Sequence, residues 1–284
     1  MRVAVVTDSG SGMSLEQGLD TGIYVLPLQV KTSASVELEG ETITNDEVYR
    51  LLASGERVEI TLPPMEKIES LFTTLKEEYD MIFAVPICNS LTNILSAMLQ
   101  ASEKVGIPLE YIECYSAFSN QLYLVQSAKT LFDDGKSVEE VKERLQGAIL
   151  DNCTMIIMND LNHMVRGGKI SSAWATVGEL LKIKPILYLN KSTEGRLDSF
   201  AHAYTMQKAM EECIAKMVKQ EITDDYLLTV GHVADDESGR YFLRRVRTEF
   251  PRNEVLYRQL TSIIGAHMGI GCIVLQYIKR IDMD

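Results

Sequence analysis

The chain has 284 residues, of which 46% are hydrophobic and 24% are charged, and its formal net charge at pH 7 is -12. Such values are typical of a globular protein that is long enough for two domains. The acidic balance argues against a nucleic-acid partner and against electrostatic docking on anionic lipid, because both require a basic face. It leaves at most a transient contact with a membrane.

Five cysteines are scattered along the chain without a CxxC pair, at positions 88, 114, 153, 213 and 272. Their odd number and wide spacing indicate neither a disulfide framework nor a zinc site, so we expect a reducing cytoplasm. No apolar run approaches the roughly 20 residues that span a bilayer. We expect no metal and no other cofactor.

The first half of the chain alternates strand-like apolar runs with helix-like periodic segments. Strands are predicted at 2–6, 23–30, 81–87, 109–114 and 155–158, and helices at 45–54, 64–79, 94–104, 118–134 and 138–151. A short hairpin is predicted around Glu39-Gly40. This alternation predicts an α/β fold with a doubly wound parallel sheet, in which 155–158 is the fifth strand. Ligands of such sheets collect at the carboxyl ends of the strands.

The stretch 160–190 joins this half to a second half with a different pattern. Gly167-Gly168 predicts a turn, and Ser171 or Ser172 can cap a helix that Pro185 ends. Beyond it, strands are predicted near 185–189, 196–202, 226–232, 254–259 and 271–277, and helices near 205–219 and 238–249. We therefore predict two tightly packed domains, an N-terminal α/β domain at 1–159 and a second α/β or α+β domain at 160–284.

The motifs of several enzyme classes are incomplete in this chain. Gly10-Ser11-Gly12 follows a strand, as nucleotide-binding loops do, but Leu15 stands where a third glycine is required, and no complete GxxxxGK[ST] motif occurs. There is no GxSxG elbow of a serine hydrolase. The four histidines lack metal-ligand spacing. Only His267, within the glycine-rich GAHMGIG, is as readily a functional residue as a packed one.

Hydroxyl and amide side chains gather in two loops that follow predicted strands, at Thr61, Asn89, Ser90, Thr92 and Asn93. One interpretation is helix capping, because Thr92 or Asn93 precedes one predicted helix and Thr61 another. The other is a site for a carboxylate or phosphate, which neutral donors at helix starts favour without a buried lysine. The residues alone leave both interpretations open.

Seven features of the chain, taken in order, resemble the DegV family of bacterial fatty-acid-binding proteins. They are Thr7-Asp8-Ser9, Pro27-Leu28, Thr61 with Pro64, the loop 87–93, Arg166-Gly167-Gly168-Lys169-Ile170, Ile183-Lys184-Pro185-Ile186 and His267. Their order and spacing match the family over nearly the whole chain. RGGKI followed by IKPIL, with TDS at the start and a late GxHxGxG, is a specific combination.

The resemblance implies that one long-chain fatty acid is enclosed between the two domains. It also implies that the N-terminal domain is similar to the α/β fold of dihydroxyacetone kinase subunits. Members of the family that act as fatty acid kinase B subunits present the acyl carboxylate to a separate ATP-dependent kinase subunit, which makes acyl phosphate for phospholipid synthesis. In that arrangement the binding protein has no catalytic centre.

Carried over by residue, the resemblance makes Thr61, Thr92 and His267 ligands of the carboxylate. Asn93, next to Thr92, is also predicted to bind it. Arg166 and Lys169 would face the kinase partner or the rim of the site. The chain has TLPPM where the family has a TSQPS-like loop, and Thr92-Asn93-Ile94 where it has SGT, so the head-group contacts stay open.

Two other functions remain as alternatives to a kinase-linked binding subunit. The chain could be an enzyme in its own right, either a phosphotransferase that carries substrate on His267 or a small hydrolase. The missing phosphate loop and the missing acid/base pair argue against both enzymes. It could also be a lipid carrier or sensor without a kinase partner, which the residues do not separate from the first function.

Overall fold

The computed structural model describes residues 1–159 and 183–283. The strands of these residues are β1 Val3–Asp8, β2 Ile23–Leu26, β3 Gln29–Lys31, β4 Val36–Leu38, β5 Glu59–Thr61, β6 Met81–Ala84, β7 Leu109–Tyr111, β8 Cys153–Ile157, β9 Lys184–Leu189, β10 Asp198–Ala203, β11 Tyr226–His232, β12 Val255–Gln259 and β13 Ile273–Lys279. The helices are α1 Leu15–Thr21, α2 Asn45–Ala53, α3 Met65–Glu78, α4 Ile94–Val105, α5 Phe118–Asp133, α6 Val138–Leu150, α7 Met206–Lys219, α8 Asp236–Glu249 and α9 Ser262–Met268.

A four-stranded parallel sheet in the order β2-β1-β6-β7 forms the centre of the N-terminal half. Residues 4–8 of β1 and all four residues of β6 are buried, which is why residues 3–6 of β1 and the whole of β6 are continuous apolar runs in the sequence. α3 packs against α4, and α5 packs against β1 and β2. A small antiparallel sheet in the order β4-β3-β5 lies in the same half.

Three helices of this half begin with a capping box that can be read from the sequence. Ser14, Thr44 and Ser137 each accept a hydrogen bond from the backbone N–H three residues later, and the side-chain oxygen of the Gln or Glu there accepts one from the backbone N–H of the cap residue. This reciprocal pairing satisfies two backbone donors that a helix start leaves open. The same bonds lower the pKa of Glu47 and Glu140.

A six-stranded sheet in the order β10-β9-β8-β13-β11-β12 forms the second half, and we call it the large sheet. Neighbouring strands are antiparallel except for β11 and β12, which are parallel. α7 and α8 cover one face of this sheet, while α5 and α6 contact β13. Because α5 contacts both β1 and β13, it lies between the two sheets. One buried core includes Val5 of the parallel sheet and Val274 of the large sheet.

The prediction that 155–158 forms a fifth parallel strand is wrong. β8 pairs antiparallel with β13 and β9, so that Ile157 lies opposite Ile273 and Ile186. Its buried apolar sequence suits either sheet, and the choice depends on strands that lie far along the chain. The large sheet therefore begins before the predicted domain boundary at residue 159, and the division of the chain into domains at that point stays a prediction.

Candidate junction site

The carboxyl end of β1 carries a buried carboxylate, Asp8, which lies at the centre of a hydrogen-bond network. Its Oδ1 accepts from the N–H of Gly10 at 2.8 Å, and its Oδ2 accepts from the N–H of Ile87 at 2.7 Å and from Gln121 Nε2 at 3.2 Å. Asp8 is completely buried, and this burial raises its pKa to about 7 although three N–H groups donate to it. Asp8 thereby ties β1 to the loop after β6 and to α5.

The backbone N–H groups of the two glycines in the turn after β1 are already hydrogen-bonded within the protein. The N–H of Gly10 is bound by Asp8, and the N–H of Gly12 donates to Ser9 O at 3.0 Å. A Cβ added at Gly10 would lie 2.6 Å from Asp8 Oδ1, so glycine is needed here for the close approach of the carboxylate. The backbone N–H groups of Gly10 and Gly12 therefore donate to the protein itself, and neither is available to a phosphate.

A second buried carboxylate, Glu39, follows β4 and joins the two halves of the chain. Its Oε2 accepts from Ser9 Oγ at 2.5 Å, and its Oε1 accepts from the N–H of Ser262, the first residue of α9, at 2.8 Å. Asn45 Oδ1 accepts from the same N–H at 3.0 Å and from Ser262 Oγ at 2.7 Å. Burial raises the pKa of Glu39.

Two further contacts hold the segment before α9 against α2. The hydroxyl of Tyr49 donates to the carbonyls of Leu260 and Thr261, and Gln259 Nε2 donates to Asp46 Oδ1 at 2.8 Å. α9 itself packs on α2 and on β5. We call residues 39–49 together with 259–268 the junction, because they join the small-sheet region to the large sheet.

The structure places two of the predicted head-group residues on elements that touch each other. Thr61 ends β5, and its Oγ1 donates to Gln29 Oε1 at 3.1 Å. His267 lies in the last turn of α9, half-buried, and α9 packs on β5. Thr61 therefore lies on a strand that contacts the helix carrying His267, although more than 200 positions separate the two residues in the sequence.

Thr92 and Asn93 lie in the loop between β6 and α4. Thr92 Oγ1 accepts from the N–H of Ile94 at 3.3 Å, which fits the capping interpretation of this threonine, whereas Asn93 is the N-cap and makes no side-chain cap bond. Nearby, Ser90 Oγ donates to the carbonyl of Gly195, which follows β9. The loop after β6 therefore also meets the large-sheet half.

Arg166 and Lys169 lie outside the described residues, as do the turn at Gly167-Gly168 and the helix predicted to start at Ser171 or Ser172. Their roles at the rim or at a partner surface stay predictions. Within residues 1–159 and 183–283, no three His, Cys, Asp or Glu side chains are grouped as ligands of one metal ion. The helices of the same ranges are all too short or too polar to cross a membrane.

A cavity of about 310 Å³ lies at α1, β2 and α3. Leu15, Leu19 and Leu71 are among its lining residues, and so are Lys67 and Glu41, which form an ion pair. Glu41 belongs to the junction, whereas the other residues that line the cavity lie outside it.

The sequence did not identify the buried carboxylate Asp8, nor the residues that hold the junction together: Glu39, Asn45 and Ser262. Thr7-Asp8-Ser9 after a buried strand was a signal for Asp8, because an acidic residue directly behind an apolar run needs buried donors. For Glu39 there was no comparable signal, since it stands among polar residues and its partner Ser262 lies 223 positions away.

Three comparisons place the chain among known proteins. A family model described as "Uncharacterised protein, DegV family" matches residues 2–280. A DegV domain-containing protein of Streptococcus pneumoniae is 25% identical over 284 residues, covering 99% of this chain and 100% of that protein. Another from Staphylococcus aureus is 26% identical over 279 residues, covering 97% of this chain and 98% of that protein.

Solved structures of similar fold cover nearly the whole chain. A DegV family protein of Thermus thermophilus, described by its fatty acid binding, matches with a TM-score of 0.85 and 25% identity, covering 99% of this chain and 100% of that one. DegV of Bacillus subtilis, described as a fatty acid binding protein, matches with a TM-score of 0.84 and 23% identity over 99% and 100% of the two chains. The predicted α/β fold, with a parallel sheet and a second sheet, is confirmed.

Proposed function

This chain belongs to the DegV family, and we propose that it binds one long-chain fatty acid between its parallel-sheet half and its large-sheet half. The observation that carries the proposal is the match to the Thermus thermophilus protein, which is described by its fatty acid binding and which aligns with 99% of this chain at a TM-score of 0.85. The junction supports it, because it brings residues of both halves together.

The apolar tail of a fatty acid is sufficient for tight binding. Each methylene removed from water contributes about 0.8 kcal/mol, so a 16-carbon chain offers on the order of 10 kcal/mol before the costs of ordering are subtracted. A head group buried with that tail needs several hydrogen bonds, because an unpaired carboxylate in an apolar site is unfavourable. The protein therefore needs a polar end to an otherwise apolar site.

We propose Thr61, Thr92, Asn93 and His267 as the residues at that polar end. The contact between β5 and α9 supports the pairing of Thr61 with His267. Hydroxyls, an amide and an imidazole can all donate to a carboxylate, and together they need no fixed cation. A head group held in this way stays available for transfer, which a buried salt bridge would oppose.

We further propose that the bound carboxylate is presented to a separate fatty acid kinase subunit, with Arg166 and Lys169 at the rim or at the partner's surface. The chain would then be a non-catalytic, cofactor-free subunit of phospholipid synthesis. Acyl phosphate formed from ATP only when both subunits are present would support this role. Turnover by the isolated chain would favour an enzyme, and indifference to any kinase subunit would favour a carrier or sensor.

A cytoplasmic location fits this role. All five cysteines are buried and unpaired, and burial raises the pKa of the Cys88, Cys114, Cys153, Cys213 and Cys272 thiols. Such thiols are inert, structural residues, which are compatible with a reducing compartment.

Protein purified from a bacterial host is expected to carry fatty acid in a ratio near one per chain. Native mass spectrometry would show the added mass, and solvent extraction followed by gas chromatography would identify the acid. The same extraction applied to an unrelated protein of similar size, purified in parallel, controls for loosely associated lipid. Repeated preparations without bound lipid would contradict the proposed function.

The double variant Thr61→Ala/Thr92→Ala is expected to bind a fatty acid about 10- to 100-fold more weakly, because two hydroxyl donors to a charged group are removed. Binding of the methyl ester, which has no charge, should change much less. Thr73→Ala/Thr74→Ala is a matched control, since both hydroxyls are exposed on α3 and donate to carbonyls of their own helix. Equal losses for acid and ester would place the carboxylate elsewhere.

A further inference from the structure

Glu39 is a carboxylate that is buried at the junction and held by neutral groups. It is 5% exposed, and its two oxygens accept from Ser9 Oγ and from the N–H of Ser262. Taking a carboxylate out of water is unfavourable, and burial raises the pKa of Glu39 accordingly. An apolar side chain would fill this space at a lower cost in free energy. A buried carboxylate at this position therefore indicates a role for the hydrogen bonds that Glu39 makes.

One oxygen of Glu39 fixes the start of α9. The N-cap residue of this helix, Thr261, makes no side-chain cap bond, and the N–H of Ser262 is taken up instead by Glu39 Oε1 and by Asn45 Oδ1. Capping of α9 is therefore supplied by residues of the N-terminal half. Because a short helix moves as a unit, fixing its first residue also fixes the last turn, which carries His267.

The other oxygen of Glu39 is linked to Thr61 through Ser9 and the residues that follow it in the hydrogen-bond network. Ser9 Oγ, which donates to Glu39 Oε2, accepts from the N–H of Leu28 at 3.0 Å. The next residue, Gln29, lies opposite Thr61 in the small sheet and accepts from its hydroxyl at 3.1 Å. Glu39 is thus linked along one path to the strand pair that ends at Thr61, and along the other to the helix that carries His267.

We propose that Glu39 is a positioning residue of the head-group site, which sets the distance between Thr61 on β5 and His267 on α9 so that both reach one carboxylate. This inference rests on the proposed function. Glu39 does not touch the fatty acid. It acts through Ser262 on one side and through Ser9 on the other, and its effect is therefore confined to the polar end of the ligand.

The test compares the affinities of a fatty acid and of its methyl ester for the wild type, Glu39→Ala and Glu39→Gln. Glu39→Ala is expected to bind the acid about tenfold more weakly and the ester within about twofold of the wild type. Glu39→Gln should recover most of the lost affinity, because it keeps the length of the side chain and one acceptor oxygen. Glu56→Ala is the matched control, since Glu56 also accepts from a serine, Ser33, but lies away from the junction.

A double-mutant cycle separates positioning from general stability. If Glu39 acts through His267, Glu39→Ala should cause little further loss of acid affinity in a His267→Ala background, whereas a purely structural effect would add to it. Ser9→Ala, which removes one hydroxyl, replaces Glu39→Ala if that variant does not fold, and should also weaken binding of the acid more than of the ester.

The outcomes distinguish this inference from the function on which it rests. A wild type that binds neither ligand overturns both. A wild type that prefers the acid, with a Glu39→Ala variant that keeps the same preference, overturns the positioning role alone. Equal losses for acid and ester, or additive effects with His267→Ala, also overturn it.

Discussion

Gly265→Ala is expected to destabilise the protein by roughly 1–3 kcal/mol, the cost of inserting a methyl group into a packed contact. A Cβ at position 265 would lie 2.5 Å from Tyr49 Cε1. The ring of Tyr49 is buried and its hydroxyl is bound to the carbonyl of Leu260, so it has little room to move aside. The overlap outweighs the gain of about 1 kcal/mol that alanine normally brings to a helix.

Gly147→Ala is the matched control for this prediction. Gly147 also lies within a helix, α6, but a Cβ there would meet no atom within 4 Å. This substitution is expected to leave stability unchanged or to raise it by up to about 1 kcal/mol. Urea unfolding of the two variants and the wild type measures the difference. A Gly265→Ala variant as stable as Gly147→Ala would show that α2 and α9 are not in close contact.

Local sequence patterns predicted most of the helices and strands, because short-range features of the sequence determine where these elements form. β11 was predicted at 226–232 as observed, and α3, α4 and α5 begin and end within one or two residues of their predicted bounds. Buried strands give continuous apolar runs, and helices give a period that a short window can show. α1 and α9 were not predicted, since both have seven residues and an internal glycine.

Sheet membership and the junction could not be predicted in the same way. β8 was assigned to the wrong sheet because its own residues do not encode its neighbours, β9 and β13. Gly265 reads as a flexible position in a glycine-rich segment, and only the fold shows that it admits the ring of Tyr49. Long-range pairing is a property of the assembled core, so it becomes visible only when the partners are placed.

The site shows the same division between local and long-range information. The resemblance to DegV proteins selected Thr61 and His267 as proposed ligands, and the structure adds that the strand and the helix that carry them, β5 and α9, are in contact. The resemblance gave no indication of Glu39, because a positioning residue is recognised from the residues to which it is hydrogen-bonded. The hydrogen-bond network behind the proposed ligands is therefore the part that the structure adds.

Asp8 is expected to make the stability of the protein fall as the pH rises from about 4 to about 7. Its pKa is about 7 in the folded protein and 3.8 ordinarily. Between these values the folded state keeps a proton that the unfolded chain has released, so raising the pH favours unfolding. The stabilisation is complete below the ordinary pKa, declines up to about pH 7, and is then constant. The total change is on the order of a few kcal/mol.

Comparison with Asp8→Asn isolates this contribution from that of the other carboxylates. Capping bonds lower the pKa of Glu47 and Glu140, which makes stability rise with pH near pH 4, but both proteins share this effect. Asp8→Asn should be less stable at low pH, because its amide turns N–H groups toward the donors of Gly10, Ile87 and Gln121. Its deficit relative to the wild type should then shrink as the pH rises.

Urea unfolding at several pH values measures this gap directly, with Asp20→Asn in α1 as a control for removing an exposed carboxylate. The pH dependence that survives in Asp8→Asn belongs to Glu39 and the remaining groups, since burial also raises the pKa of Glu39. Infrared difference spectra can follow the protonated Asp8 carboxyl in the wild type if Asp8→Asn does not fold. A constant gap between pH 4 and 8, or a carboxyl already ionised at pH 5, would show that the three N–H donors outweigh burial at the carboxyl end of β1.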